Sequence, residues 1–123
     1  MVSAKLNKLD TALARLDEAI KLYESNKEMS ESLRFYALAK AFEVAMEYAW
    51  KSLKAKAEDA GFEVSSPKEA LRLAAKIKLI DDPERWIEYL HARNMGVYDY
   101  FGISEADYAA IAKEFCRVAK KTF

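Results

Sequence analysis

From Ser30 to Ala60 the chain runs for about 30 residues without a single glycine or proline. Phe35, Leu38, Phe42, Ala45, Ala49, Leu53 and Ala57 recur there at intervals of three and four, with Met46 and Trp50 widening the stripe on one flank. Such spacing places all of them along one side of an α-helix. At a rise of 1.5 Å per residue this helix is roughly 45 Å long. Gly61 stands where a left-handed residue closes a helix. A helix of that length in a chain of 123 residues serves as the backbone of a bundle, with part of its length left for a partner.

The rest of the chain agrees with a bundle. Leu6, Leu9, Leu13, Leu16, Ile20 and Tyr23 mark a first helix, with Ser3 as its N-cap and Glu24-Ser25-Asn26 as its exit. Ser66-Pro67-Lys68-Glu69 combines an N-cap serine, a proline at the first helical position and a capping-box glutamate. This predicts a short helix from Pro67 to about Ile77, with Leu71, Ala74 and Ala75 inward. Asp82-Pro83 repeats the device for a fourth helix carrying Trp86, Ile87 and Leu90, which fades near Arg93-Asn94-Met95-Gly96. Ser104 and Asp107 start a fifth, with Tyr108, Ile111, Phe115 and Val118 spaced for burial. No segment reads as a strand. The expected fold is all-α, an up-and-down four-helix bundle with an extra short helix in the connection.

Composition removes several function classes. Lys plus Arg equals Asp plus Glu at 20 each, so no global field draws the chain to nucleic acid or anionic lipid. One cysteine, Cys116, precludes an intrachain disulfide and a cysteine-based zinc site. One histidine, His91, precludes a histidine-rich metal site. No phosphate-binding glycine loop, HExxH or nucleophile elbow is present, and no metal or cofactor is expected. The opening MVSAKLNKLD carries charges early and lacks an apolar core, and no run approaches the ~20 apolar residues of a membrane span. The expected location is the cytoplasm.

Chemistry is concentrated in Leu90-His91-Ala92-Arg93-Asn94-Met95-Gly96-Val97-Tyr98-Asp99-Tyr100. An Arg-Asn pair at a helix end, followed by polar aromatics on a loop, collects donors suited to phosphate and base contacts. The structural alternative is that Arg93 caps helix carbonyls while the tyrosines close the bundle end. Arg34 and Lys51 read as solvated-face residues, Trp50 and Trp86 as core, and Cys116 as a small packing residue. His91 lies two residues before Arg93, about 200° around a helix, so the two side chains diverge.

Phe42-Glu43-Val44-Ala45-Met46-Glu47-Tyr48-Ala49-Trp50-Lys51-Ser52-Leu53-Lys54 resembles the long-helix signature of the nucleotidyltransferase substrate-binding proteins, a branch of the HEPN superfamily. The resemblance continues in order through Gly61-Phe62-Glu63-Val64, Ser66-Pro67-Lys68-Glu69, Ile80-Asp81-Asp82, Trp86, Arg93-Asn94 and Tyr100, so residues 1–123 are expected to form a single domain of this type. It implies a homodimeric helical bundle paired with a minimal nucleotidyltransferase, in some cases as ribonuclease toxin and antitoxin. It also implies a nuclease motif of Arg, a polar residue, then His, with a nearby Tyr that accepts AMP.

Arg93, Asn94 and Tyr100 fill the first, second and last of these positions; Tyr98 stands where the histidine belongs. Metal-free RNA cleavage needs a group that exchanges a proton near neutral pH, and a phenol with a pKa of about 10 is a poor base there. Three readings follow. In the first, the chain binds the transferase and presents Arg93, Asn94, Tyr98 and Tyr100 to a nucleotide or RNA phosphate, with Tyr100 as AMP acceptor and no cleavage of its own. In the second it is an active metal-independent ribonuclease. In the third it is a structural homodimer without ligand.

Overall fold

The computed structural model describes residues 4–25, 28–96 and 104–123. Ser3, Tyr98 and Tyr100, all singled out above, lie outside them. The described residues form five helices: α1 (Ala4–Ser25), α2 (Glu31–Asp59), α3 (Pro67–Lys76), α4 (Pro83–Gly96) and α5 (Glu105–Thr122). No strand occurs among them. The all-α expectation holds.

The helix starts follow from local hydrogen bonding. Ser30, Ser66 and Ser104 each accept from the backbone N–H three residues on, at Leu33, Glu69 and Asp107. Asp82 Oδ1 does the same for Arg85 N at 3.1 Å. Each such bond satisfies one of the donors a helix N-terminus leaves unpaired. The capping box at Ser66 departs from expectation in one half. The Glu69 carboxylate takes the Ser65 hydroxyl, at 2.7 Å. Gly61 ends α2 with φ at +97°, a conformation that an L-residue adopts only under strain. Lys78 also has positive φ, at 64°, in the tight turn after α3, where its N–H donates to Ala75 O.

Ion pairs and ring contacts give the helix directions. Glu24 meets Lys113 and Asp17 meets Lys120, at 2.8 and 2.9 Å, so α1 and α5 are antiparallel. Phe35 packs on Tyr108, Phe42 on Phe115, and Lys56 lies over Phe123, so α2 and α5 are parallel. The helices α1, α2, α4 and α5 therefore form a square with alternating directions. Contact between α2 and α5 spans its short diagonal, and α1 and α4 do not touch among the described residues. Short α3 packs on α2 and α4.

The whole α2 stripe from Phe35 to Ala57 is buried, as its spacing requires. Edge-to-face rings run through the centre: Tyr108 on Phe35 and Phe42, then Phe115 on Phe42, Trp86 and Tyr89, with centroids 5.3 to 5.7 Å apart. Four residues expected inward, Ala75, Ile87, Ile111 and Val118, are only half-buried. Ala70 is buried in α3 and Ala75 only half so; Tyr89 and Ala92 are buried in α4 and Ile87 only half so. In α5 Ile111 and Val118 are half-buried, while Ala112, Cys116 and Ala119 take the innermost places. Small residues are admitted where helices approach closely, which spacing alone does not reveal. Cys116 is a packing residue as expected.

Arg34 is not a solvated residue. Its Nη1 donates to Tyr23 O at 2.8 Å and its Nε to Met29 O at 3.2 Å, and the guanidinium lies over the Tyr23 ring. It pins the end of α1 to the start of α2. Nor does the C-terminal half of α2 project freely, because α3 covers part of it. The exposed apolar residues of α2 lie instead near its start, Leu33 and Tyr36 at 59% and 62% exposure. Among the described residues no helix is long and apolar enough to cross a membrane.

Candidate functional site: an arginine–glutamate pair between α2 and α4

The register of α4 decides where Arg93 points. Trp86, Tyr89 and Arg93 stand at i, i+3 and i+7, on one side of the helix. Trp86 and Tyr89 are sealed against Phe115. A polar cluster fixes the same helix to α5. Glu114 accepts from Arg85 and, at 2.7 Å, from the Tyr89 hydroxyl; Arg85 also pairs with Glu88 and lies over the Tyr89 ring. Hydrogen bonds from Arg85 and Tyr89 hold the Glu114 carboxyl below its usual range. Burial, with the Glu114 hydrogen bond, raises the Tyr89 phenol well above its usual value. With α4 so clamped, Arg93 faces α2 and is only 27% exposed.

Its partner there is Glu47. Arg93 Nη2 donates to Glu47 Oε2 at 2.7 Å, and Arg93 Nη1 donates to Asn94 Oδ1 at 3.0 Å. Glu47 is itself crowded with donors. Trp50 Nε1 reaches Oε2 at 3.2 Å and Lys51 Nζ reaches Oε1 at 3.1 Å. Burial pushes the Glu47 carboxyl up, but the hydrogen bonds from Lys51 and Trp50 and the charge of Arg93 outweigh it and leave the pKa lowered. Glu47 therefore stays ionised at neutral pH. Beside the pair lies a recess of about 190 Å³ lined by Glu43, Val44, Glu47, Tyr48, Lys51 and Arg93.

Of the residues singled out from the sequence, Arg93 and Asn94 are thus adjacent and in contact. Among the described residues Arg93 caps no helix carbonyl; Nη1 and Nη2 donate to side chains. His91 is exposed on α4, as the 200° offset requires. Trp86 is core, at 2% exposure. Trp50 packs against the core but is only half-buried, and its indole N–H serves Glu47. Lys51 is a solvated residue that also belongs to the cluster. Asp81 and Asp82 are exposed, and Asp82 acts as a cap.

Glu47 is the residue that sequence reasoning passed over. It stands 46 positions before Arg93, and nothing local marks it. The available signal was weak: a carboxylate on the flank of a core stripe, next to Trp50 and Lys51, which flank it at i+3 and i+4.

Chemically, the arrangement offers a guanidinium, an ammonium and an indole N–H around one carboxylate. It is built to hold an oxyanion, and an internal one holds that place. One donor is left over: Arg93 Nε is buried without a hydrogen-bond partner among the described residues. An unmet buried donor of this kind costs about 1–3 kcal/mol.

A search among curated proteins found no match. The sequence profile described as "Nucleotidyltransferase substrate binding protein like" matches residues 4–122, nearly the full chain. The Arg93–Glu47 pair and the helices that position it lie within that span. The chain belongs to the nucleotidyltransferase substrate-binding-protein-like family.

Proposed function

We propose that this chain is the helical subunit of a nucleotidyltransferase pair: it binds a minimal nucleotidyltransferase and grips a nucleotide or nucleic-acid phosphate at Arg93 and Asn94. The observation that carries this reading is the half-buried Arg93, bonded to the exposed Asn94 and lining an open recess, in a chain whose family is named for substrate binding to such enzymes. Residues 1–123 act as one HEPN-like domain and as a homodimer in the cytoplasm. Tyr98 and Tyr100 follow Arg93 closely in sequence and complete the phosphate-binding set, with Tyr100 as the acceptor of an AMP group transferred by the partner. The chain does not cleave RNA by itself, because Tyr98 replaces the imidazole that the motif needs.

Arg93 has a defined task in this scheme. Its charge is permanent, and its planar fork takes two phosphate oxygens at once. Position in the last turn of α4 adds a favourable interaction with the helix dipole, and the bond to Glu47 holds the guanidinium against α2.

Co-expression with a tagged minimal nucleotidyltransferase from the same organism tests the pairing. The two chains are expected to elute together, and mass spectrometry is expected to find adenylylation on Tyr100. Separate elution of two folded proteins would refute it. If the pair is a toxin and its antitoxin, the transferase relieves any growth inhibition caused by the helical chain alone.

A further inference from the structure

Arg93 shares out its donors unequally. Nη2 goes to Glu47 and Nη1 to Asn94, while Nε is buried and unmet among the described residues. A bidentate oxyanion accepts from two guanidinium nitrogens at once. Glu47 brings only one oxygen to Arg93, and that oxygen also serves Trp50; its other oxygen is taken by Lys51. The carboxylate thus meets the guanidinium through one nitrogen and leaves Nε, a donor that a bidentate anion could take, unmet among the described residues.

We infer that Glu47 is a resident competitor at the anion site: a phosphate monoester binds Arg93 by displacing the Glu47 carboxylate. This rests on the reading of Arg93 as the phosphate-holding residue and adds the regulation of that site.

Exchange is feasible in this geometry because neither partner is stranded by it. Glu47 keeps Trp50 and Lys51, both within one turn on its own helix and each on a different oxygen. Among the described residues Arg93 is held by two side chains and by no backbone carbonyl, and it stands three residues before the end of α4. The recess beside the pair gives the incoming group a place to enter, with Lys51 on its rim as a second cation. Glu43 and Glu47 line the same recess, so the resting site carries two carboxylates against two cations and attracts anions weakly. That balance makes the site selective. A ligand must bring enough negative charge, and more than one acceptor oxygen, to outcompete a carboxylate already in place. A terminal phosphate of a nucleotide meets both conditions, as does free phosphate.

The test is a calorimetric titration of the full chain with inorganic phosphate and, separately, with AMP, comparing wild type, Glu47→Gln and Arg93→Ala. Glutamine keeps the shape and an acceptor for Trp50 but removes the competing charge. Binding is expected to tighten about tenfold or more in Glu47→Gln and to vanish in Arg93→Ala. Tightening for both ligands assigns the site to bare phosphate; tightening for AMP alone assigns it to the nucleotide. Unchanged or weaker binding in Glu47→Gln, with the Arg93 dependence intact, overturns the competitor role and leaves Arg93 as the phosphate residue. No binding by any of the three proteins removes both readings. A measurement on the wild type alone keeps the inference open to refutation if Glu47→Gln does not fold. The Arg93 Nε–H nuclear magnetic resonance signal is expected to move downfield on saturation with phosphate. A signal that stays in place while phosphate binds contradicts displacement.

Discussion

Pairing between Arg93 and Glu47 has a thermodynamic signature that a double-mutant cycle isolates. The cycle uses Glu47→Gln, Arg93→Met and the combined variant. Two unit charges about 4 Å apart attract by about 4 kcal/mol at the effective dielectric near a protein surface, but desolvation and side-chain ordering cancel much of this. Hydrogen bonds to charged groups retain about 1.5–3 kcal/mol, whereas fully exposed ion pairs retain about 0.2–1 kcal/mol. With Arg93 and Glu47 at 27% and 29% exposure and a separation of 2.7 Å, the coupling belongs between these ranges, at about 1–2 kcal/mol.

Lys51 and Trp50 continue to serve Glu47 when Arg93 is removed, so Arg93→Met costs less than a stranded carboxylate would. Urea unfolding followed by far-ultraviolet circular dichroism at neutral pH measures all three variants. The pH dependence has a definite sign. The Glu47 pKa is lowered in the folded state, so its stabilisation is present above the unfolded carboxyl pKa of about 4.3. It is lost as pH falls through the lower folded value. The stability difference between wild type and Glu47→Gln is therefore largest at neutral pH and shrinks in acid. Coupling below about 0.3 kcal/mol, within the usual error of additivity, would refute the pair as a working contact.

Other outcomes follow from the core, the turns and the motif. Phe115→Ala removes the ring on which Phe42, Trp86 and Tyr89 meet and is expected to cost about 3–5 kcal/mol in urea unfolding; a loss below about 1 kcal/mol would contradict the packing. Gly61→Ala meets no atom within 4 Å, so its cost is backbone strain alone, about 1–2 kcal/mol; a neutral effect would mean that the turn relaxes. Tyr98→His restores an imidazole to the motif, and RNA cleavage dependent on Arg93 is expected to appear; a variant as inert as wild type would show that the site differs from a nuclease in more than one residue.

What the sequence disclosed, and what it withheld, divides along separation in the chain. Helix starts at Ser66, Asp82 and Ser104 were legible because a cap is written within four residues. The α2 stripe was legible because burial repeats with the helical period. The polar contact of Trp50 was hidden because a tryptophan on the flank of a core stripe, which does pack on the core, gives no sign that its N–H meets Glu47. Arg34 was misplaced because its partners, the carbonyls of Tyr23 and Met29, are backbone atoms across a turn. Positive φ at Lys78 had no sequence cue at all. The candidate site shows the same division. Arg93 and Asn94 are neighbours and were found together, whereas Glu47 enters only through the packing of α4 on α2. Long-range pairing is a property of the fold, and a charged residue on a helix flank looks alike whether it faces solvent or a cation.

The central claim is that this chain grips phosphate without cutting, and an RNA-degradation assay on the purified wild-type protein at neutral pH, without added metal, tests it most directly. Intact RNA, with Arg93→Ala indistinguishable from wild type, is the predicted result. Cleavage by the wild type that disappears in Arg93→Ala would contradict the account.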